Sequence, residues 1–420
     1  MDLSVYKSTS WKMLPWDKFR SKVFSLQCRI YDAMRNNDIQ QVTKLQKCLI
    51  NSSSTHYLAI KECTEISIGR KIPGNDQTLI KTYEEKFALA NFIKHHIANW
   101  KQSPYKKVKI LLYKDTPLFF SIPNMEDRII HFIWKLALEP AHEAIFDYYS
   151  YGFRPGCNIW DMKKTILYRL KSLSKKAGKK VLTLDFSQCS KLIDHTVLIN
   201  KLVFPSRYKK ALYKSLNMGL LDDVLVPVSY QYSATTLSFF LANVAFHGSE
   251  DLTKNIRNIS GGLETFRYGS YILYIFDEDD CLIYSLIEQF FYKIGIIFSH
   301  LDEPIFKPLH NFEFLGWCFI IKPNGKIITY PTKADWTRHK SNIKFLLKSP
   351  VDSTIGRLAK IEQKMKRWYH YHQLCNMPEV RSQIYSLKHW ANRYLRLHTT
   401  MEKTKRHILL RKIFDTQFYL

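Results

Sequence analysis

The side chains that could do chemistry in this sequence are few and scattered. Asp185 closes the apolar run Val181-Leu182-Thr183-Leu184, which places a carboxylate at the end of a predicted strand. A carboxylate in that position can ligate a hard cation. Arg267-Tyr268-Gly269-Ser270-Tyr271 reads as a tight turn between β-rich segments and continues into the strand-like run Ile272 to Phe276. No carboxylate occurs from Phe266 to Phe276, so this turn offers only neutral oxygens. Asp277-Glu278-Asp279-Asp280 is acidic, but it stands just ahead of a predicted helix, where acids oppose the dipole. Asp222-Asp223 lies in a turn after Gly219. His142-Glu143 lacks a second histidine four residues on, so it is no zinc-protease motif. His370 and His372 read as satisfied or exposed histidines rather than ligands. The eight cysteines lie far apart, which excludes CxxC zinc sites, gives no disulfide framework and fits a reducing compartment.

The charge balance narrows the partner. Lys plus Arg number 63 against 37 acids, a formal net charge of +26. Such a charge opposes compaction by self-repulsion, and a polyanion relieves it. Nucleic acid is the first candidate and an anionic surface the second. The 25 Tyr, 26 Phe and 9 Trp are interleaved with the basic residues, and aromatic faces stack on unpaired bases. No stretch reaches the ~18 consecutive apolar residues of a membrane span, and the first residues contain Asp2 and Asp17 without an apolar signal core. Basic runs that few local acids balance include Arg70-Lys71, Lys106-Lys107 with Lys109, Lys179-Lys180, and the stretch holding Arg338, Lys340 and Lys344.

Several elements must position these residues. Val23, Leu26, Ile30 and Met34, then Ile39, Val42, Leu45 and Leu49, predict two helices over 20–50, the second opened by Asp38 with Gln41. Further helices are predicted to about Ile66 and over 80–100. The runs Tyr105 to Leu112 and Leu118 to Ile122 predict a hairpin. Asn124 with Asp127 is expected to cap the helix that follows. A helix from Ile159 to Leu173, a basic helix over 196–218, and an apolar helix or strand–helix unit from Thr235 to Gly248 come next. A strand pair is expected around Phe312 to Trp317 and Gly325 to Tyr330, and the chain then reads as basic and helical to its end.

These landmarks together resemble the group II intron reverse transcriptase/maturase family over nearly the whole chain. Leu26-Gln27-Cys28-Arg29-Ile30 and Leu45-Gln46-Lys47 are similar to its N-terminal "LQxRI … LQ" pattern, and Gly69 to Asp76 to its "GKxTPGVD" loop. Ile122-Pro123, Glu126-Asp127-Arg128-Ile129, Leu138-Glu139-Pro140 and Ser150-Tyr151-Gly152-Phe153-Arg154-Pro155-Gly156 resemble the finger motifs. Leu241-Ala242-Asn243 with His247-Gly248 resembles "LANIxLHG", and Phe312-Glu313-Phe314-Leu315-Gly316 resembles "FxFLG". Pro331-Thr332-Lys333 and Trp368 with Tyr371 more loosely resemble the landmarks of the maturase domain.

The resemblance implies an α+β right hand: reverse-transcriptase-like fingers and palm with a helical C-terminal thumb/maturase (X) domain. The expected division is an N-terminal RNA-binding extension over 1–80, fingers and palm over 81–330, and the helical domain over 331–420. In the family, one aspartate ends the first palm strand and two more sit in a Tyr-Ala-Asp-Asp hairpin, where they hold two divalent cations roughly 4 Å apart. Asp185 matches the first position, and Tyr268 and Gly269 match the hairpin. Ser270 and Tyr271 stand where the two aspartates belong. Tyr232-Ser233-Ala234-Thr235 replaces Pro-Gln-Gly-Gly, and Ser190-Lys191 replaces a Phe-Asp pair. Asp185 is therefore expected to be vestigial, or to hold a single ion at most.

The resulting expectation is an RNA-binding maturase-like splicing factor. Its contacts are expected at Arg70, Lys71, Lys106, Lys107, Lys109, Arg154, Lys179, Lys180, Arg338, Lys340, Lys344, Arg367, Trp368 and Tyr371. The partner is a group II intron RNA; no membrane is expected, and a homodimer is compatible with the sequence. The protein should require no cofactor of its own, with any Mg²⁺ entering through the RNA. An organelle-encoded origin, in a plastid or mitochondrion, is favoured over a bacterial cytoplasm, and no endonuclease module is expected after residue 420. Two alternatives stand beside this reading: a working reverse transcriptase with a rearranged metal site, and an RNA-binding remnant with no role in splicing.

Overall fold

A computed structural model describes residues 11–111, 117–173, 178–186, 189, 192–221, 236–252, 263–277, 281–298, 305–350 and 352–415. The polypeptide is a mixed α+β protein. By its contacts the chain divides into two compact units. The first holds Met1–Met162, Leu184–Tyr274 and Asp280–Pro304, and the second holds Lys163–Thr183, Ile275–Asp279 and Ile305–Leu420. Among the described residues no helix is long and apolar enough to cross a membrane.

The first unit is organised around one helix. After a short 3-10 turn at Trp11–Met13 come α1 (Trp16–Arg35), α2 (Ile39–Ile50), α3 (Ser53–Lys61) and α4 (Tyr83–His96). The strands β1 (Lys106–Leu111) and β2 (Pro117–Ile122) form the expected antiparallel hairpin and lead to α5 (Met125–Glu143). Ile129, Ile130, Ile133, Trp134, Ala137, Leu138 and Ala141 of α5 are all buried. A broad apolar face of this kind must be covered by neighbouring elements, and α5 packs against α1, α2 and α3. The predicted cap at Asp38 forms, its side chain accepting from the Gln41 N–H at 2.9 Å.

The two glutamines of the N-terminal pattern have a local reason. Pro140 sits inside α5 and has no N–H to give to the Leu136 carbonyl. Gln27 fills that gap, its Nε2 donating to the Leu136 oxygen at 3.0 Å. Gln46, wholly buried, donates to the Ala137 oxygen at 3.2 Å and the Val203 oxygen at 2.8 Å.

Three expectations are corrected. Asn124 does not cap α5 with its side chain; its Oδ1 accepts from the Asn75 N–H at 2.8 Å and so ties down the basic loop. The helix expected over 196–218 is two, α7 (His195–Lys201) and α8 (Ser206–Asn217). Pro205 disfavours helical backbone at the residue before it, which ends the first. The expected strand pair after residue 310 is a three-stranded antiparallel sheet, described below.

Helix α6 (Ile159–Leu173), strand β3 (Lys179–Asp185) and helix α9 (Thr236–Phe246) follow the predicted order. Strands β4 (Glu264–Tyr268) and β5 (Tyr271–Asp277) precede α10 (Cys281–Lys293) and β6 (Ile305–Pro308). A four-stranded sheet runs in the order β4-β5-β3-β6.

In the second unit β7 (Asn311–Phe314), β8 (Trp317–Ile321) and β9 (Ile327–Pro331) form the antiparallel sheet. Leu315 and Gly316 both have positive φ, 52° and 78°, and Phe314 pairs with Trp317 across them. A two-residue hairpin favours that conformation because its twist matches the strands. Four helices complete the unit: α11 (Lys333–Lys348), α12 (Thr354–Tyr371), α13 (Pro378–His398) and α14 (Lys403–Phe414). Ile343, Leu347, Leu358, Ile361, Met365, Ile384, Leu387 and Leu395 form their common core.

Candidate functional site

The hairpin β4–β5 carries Gly269 and Ser270 at its tip, with Gly269 in the left-handed region at φ 61°. Only glycine adopts that conformation without steric cost. The Ser270 carbonyl accepts from the Phe186 N–H at 3.1 Å, so the tip lies directly beside the end of β3 and Asp185. The expected juxtaposition of turn and aspartate is therefore present. Asp185 is exposed, whereas Ser270 is 3% exposed and Tyr271 half-buried. Burial pushes the nearby Cys189 thiol up to about 11, and the Asp185 charge adds to the shift.

Behind the tip is a buried ionic network. Arg267 is fully buried and pairs with the equally buried Glu250. It also donates to the Asn243 Oδ1 at 2.9 Å, the Ser150 Oγ at 2.6 Å and the Gly269 carbonyl at 3.3 Å. Burial alone would raise the Glu250 carboxyl, but the charge and hydrogen bond of Arg267 hold it below its usual range. Backbone bonds add to the network: the Tyr151 N–H donates to the Arg267 carbonyl at 2.8 Å, and the Arg267 N–H to the Tyr149 carbonyl at 3.0 Å. Asn243 donates to the Gly152 carbonyl. A Cβ on Gly152 would lie 2.1 Å from the Gly269 nitrogen, so only glycine permits this approach. Phe153 stacks on Phe239 at 4.2 Å and covers Gly269. The Gly248 N–H donates to Glu250 at 3.0 Å, so three stretches distant in sequence converge on one turn: Ser150 to Phe153, Asn243 to Glu250, and Arg267 to Gly269.

Residues 11–93 match the N-terminal domain of reverse transcriptase. The chain is 25% identical over 406 residues to maturase-like protein 1 of Euglena longa, covering 96% of this chain and 86% of that protein. It is 24% identical over 387 residues to maturase-like protein 1 of Euglena gracilis, covering 91% and 81%. The chain is thus similar to these maturase-like proteins over most of its length.

The family's two-cation chemistry requires carboxylates at the hairpin. Here the tip presents a buried hydroxyl and a phenol, and Asp185 is the one carboxylate placed beside it among the described residues. No group of three or more His, Cys, Asp or Glu among those residues is placed to hold a metal ion. The residues at the tip do not fit a pair of divalent cations. Asp277, at the end of β5, forms an ion pair with Lys179 at 2.7 Å. The remainder of its acidic cluster, Asp222-Asp223, Tyr232 to Thr235 and Ser190-Lys191 lie outside the described residues.

Other family motifs are structural in this chain. Arg128 donates to three carbonyls, those of Pro123, Gly69 and Ile72, at 2.9, 2.9 and 2.7 Å, and so pins the basic loop to α5. Asp127 is wholly buried and accepts from the Trp100 indole at 3.0 Å, and burial pushes its carboxyl up to about 7.

The expected RNA contacts divide into two groups. Lys71, Lys107 and Arg367 are exposed; Arg70, Lys106, Lys180, Lys340 and Lys344 are half-buried. The side chain of Lys109 lies outside the described residues. Arg154 is turned inward, with Nε and Nη2 each 3.0 Å from Glu143. Lys179 is 8% exposed and occupied by Asp277. Arg338 is exposed but paired with Asp335 at 2.6 Å. Trp368 is 7% exposed and donates to Asp335 at 2.8 Å, while the Tyr371 hydroxyl donates to the Leu315 carbonyl at 2.7 Å. Trp368 and Arg154 are thus both turned toward partners within their own units.

His372 completes the cluster around Asp335, its Nε2 lying 3.0 Å from the carboxylate. Burial lowers the pKa of the imidazole, while the hydrogen bond and charge of Asp335 work against that shift. Burial would raise Asp335, yet donors from His372, Trp368 and Arg338 hold that carboxyl well below the usual range. Lys163, fully buried, lies 3.0 Å from the Cys375 thiol and 4.5 Å from the Trp317 ring centroid. The sequence carries no signal for Lys163, nor for Glu250. Arg267 stands in the motif itself, but nothing in the pattern reveals that its charge is internal.

Proposed function

We propose that this protein is a maturase: an RNA-binding protein that assists splicing of a group II intron and does not polymerise DNA. One observation carries the reading. A hairpin lies beside Asp185 in a chain that resembles maturase-like proteins over most of its length, yet Ser270 at its tip and Tyr271 at the start of the next strand stand where the resemblance expects aspartates. In this reading β1, β2 and α5 belong to the fingers, the β4-β5-β3-β6 sheet to the palm, and α11–α14 to the thumb and X domain. Exposed lysines and arginines, among them Lys71, Lys107 and Arg367, neutralise phosphates of the intron, and the folded RNA with its own Mg²⁺ performs the transesterifications. The protein requires no cofactor of its own. An organelle-encoded origin suits the Lys-, Ile-, Tyr- and Phe-rich composition and the Euglena relatives.

The test is association with the intron. Precipitation of the protein from its source, followed by RNA sequencing, should recover one or a few group II introns, and disruption of the gene should leave them unspliced. Recovery of no intron above background refutes the reading. A second reading, a working reverse transcriptase, draws on the exposed carboxylate of Asp185 beside the tip. Primer extension on an RNA template, abolished in Asp185→Ala, would establish that reading instead.

A further inference from the structure

The first unit holds a groove of about 600 Å³ lined by residues from four short stretches. Trp11 and Lys12 come from the first 3-10 turn, Trp16 from the start of α1, Lys61 and Glu65 from the end of α3 and just beyond, and Lys81, Thr82, Tyr83, Glu84 and Lys86 from the approach to α4 and its first turn. Trp11 is 1% exposed, and its indole N–H is buried without an acceptor. It meets the half-buried Trp16 edge-on at 5.1 Å.

The lysines are arranged over these rings. Lys61 Nζ sits 4.0 Å from the Trp16 ring centroid, and Lys86 Nζ 5.3 Å from both Trp11 and Tyr83. Such contacts hold a cation in place without consuming its charge. Glu65 pairs with Lys86 at 2.6 Å. Among the residues that line the groove this leaves Lys12, Lys61 and Lys81 against Glu84, a net positive lining, with Glu85 just behind Lys81, its carboxylate accepting from the Lys81 N–H at 2.7 Å. Its volume is in the range of small-ligand pockets and much larger than a bare phosphate needs. Cations beside half-buried aromatic rings suit a nucleotide, because one class of group takes the phosphate and the other the base face.

We propose that this groove docks one unpaired nucleotide of a single-stranded RNA segment. Lys12, Lys61 and Lys81 hold its phosphate, and Trp16 and Tyr83 flank its base. The proposal rests on the maturase reading and adds to it a defined subsite within the matched N-terminal domain.

The experiment uses the full-length protein and a labelled single-stranded RNA drawn from the co-purifying intron. Binding is measured by anisotropy across a salt series for wild type, Lys61→Gln/Lys81→Gln and Trp16→Ala, with circular dichroism confirming that each variant is folded. The lysine pair should flatten the log–log salt slope by about 0.7 for each phosphate that is no longer neutralised. Trp16→Ala should weaken binding by roughly tenfold. Trp16→Phe, which keeps a ring, should retain most of the affinity, whereas a merely structural tryptophan gives no such rescue. Unchanged affinity and slope in folded variants overturn the subsite and leave the maturase reading intact. Wild-type protein that binds no intron RNA overturns both. Equal competition by the duplex form of the same segment, by inorganic phosphate or by anionic vesicles also overturns the subsite, because each lacks the unpaired base.

Discussion

Arg267 and Glu250 allow a direct test of what holds the hairpin. Both side chains are essentially inaccessible to water, so Arg267→Met leaves a buried carboxylate without its partner. It also strands the acceptors on Asn243, Ser150 and Gly269. Breaking a buried pair in this way costs about 3–5 kcal/mol, a large fraction of the ~5–15 kcal/mol that stabilises a typical domain. Glu250→Leu should cost a similar amount, because it isolates the guanidinium. The double variant removes both charges, so its cost should fall short of the sum by about 2 kcal/mol or more.

The pH dependence has a definite sign. In the wild type Glu250 is depressed below its unfolded value of about 4.3, so its contribution is complete above that pH and is lost as pH falls through the lower folded value. In Arg267→Met the buried carboxyl rises instead, so its penalty grows with pH above about 4.3. The gap between the two proteins should therefore be widest near neutrality and narrow toward pH 4. The assay is urea denaturation combined with hydrogen exchange at β4 amides, because a chain of two compact units need not unfold in one step. Strict additivity of the two substitutions, or a cost below about 1 kcal/mol for Arg267→Met, would refute the reasoning.

Gly152→Ala places a carbon 2.1 Å from the Gly269 backbone nitrogen; the displacement should cost about 1–3 kcal/mol or more and appear as faster exchange at Gly269 and Ser270. Gln27→Leu strands the Leu136 carbonyl beside Pro140, with an expected loss of about 1–3 kcal/mol in urea denaturation, whereas the exposed Gln40→Leu should cost little. Asp127, pushed up to about 7, is protonated in the fold at pH values where the unfolded chain is ionised. Its stabilising contribution is complete below about pH 3.9 and lost as pH rises toward 7, so Asp127→Asn should gain roughly 2–4 kcal/mol at pH 8 and little at pH 4. A flat difference across that range would contradict the assignment.

Much of the secondary structure was legible because it follows from periodicity. The apolar spacing of α1 and α2, the continuous apolar face of α5, and the strand ending at Asp185 are local patterns, each readable without knowing the partner. The break at Pro205 was equally local, and the expectation of one helix there erred by weighting basic helical residues over the restriction before proline. Asn124 was misjudged for a different reason. Capping is the commonest use of an asparagine before a helix, but here the loop at Asn75 supplies a competing donor from 49 residues away.

The sequence by itself determined the resemblance to the group II intron reverse transcriptase/maturase family, the mixed α+β composition, the basic character, and the presence of Ser270 and Tyr271 where that family carries two aspartates, since those are matters of residue type and local order. Tertiary structure alone decided which charges face outward. Arg154, Lys179 and Arg267 look like any other basic residue in the chain, yet each meets a carboxylate brought from elsewhere in the fold. The same holds for Trp368, which packs on α11 through Asp335 and offers no face to a base. The physical reason is that a charge is satisfied by whatever lies within about 4 Å of it, and sequence spacing carries no information on pairings that only the path of the folded backbone brings about.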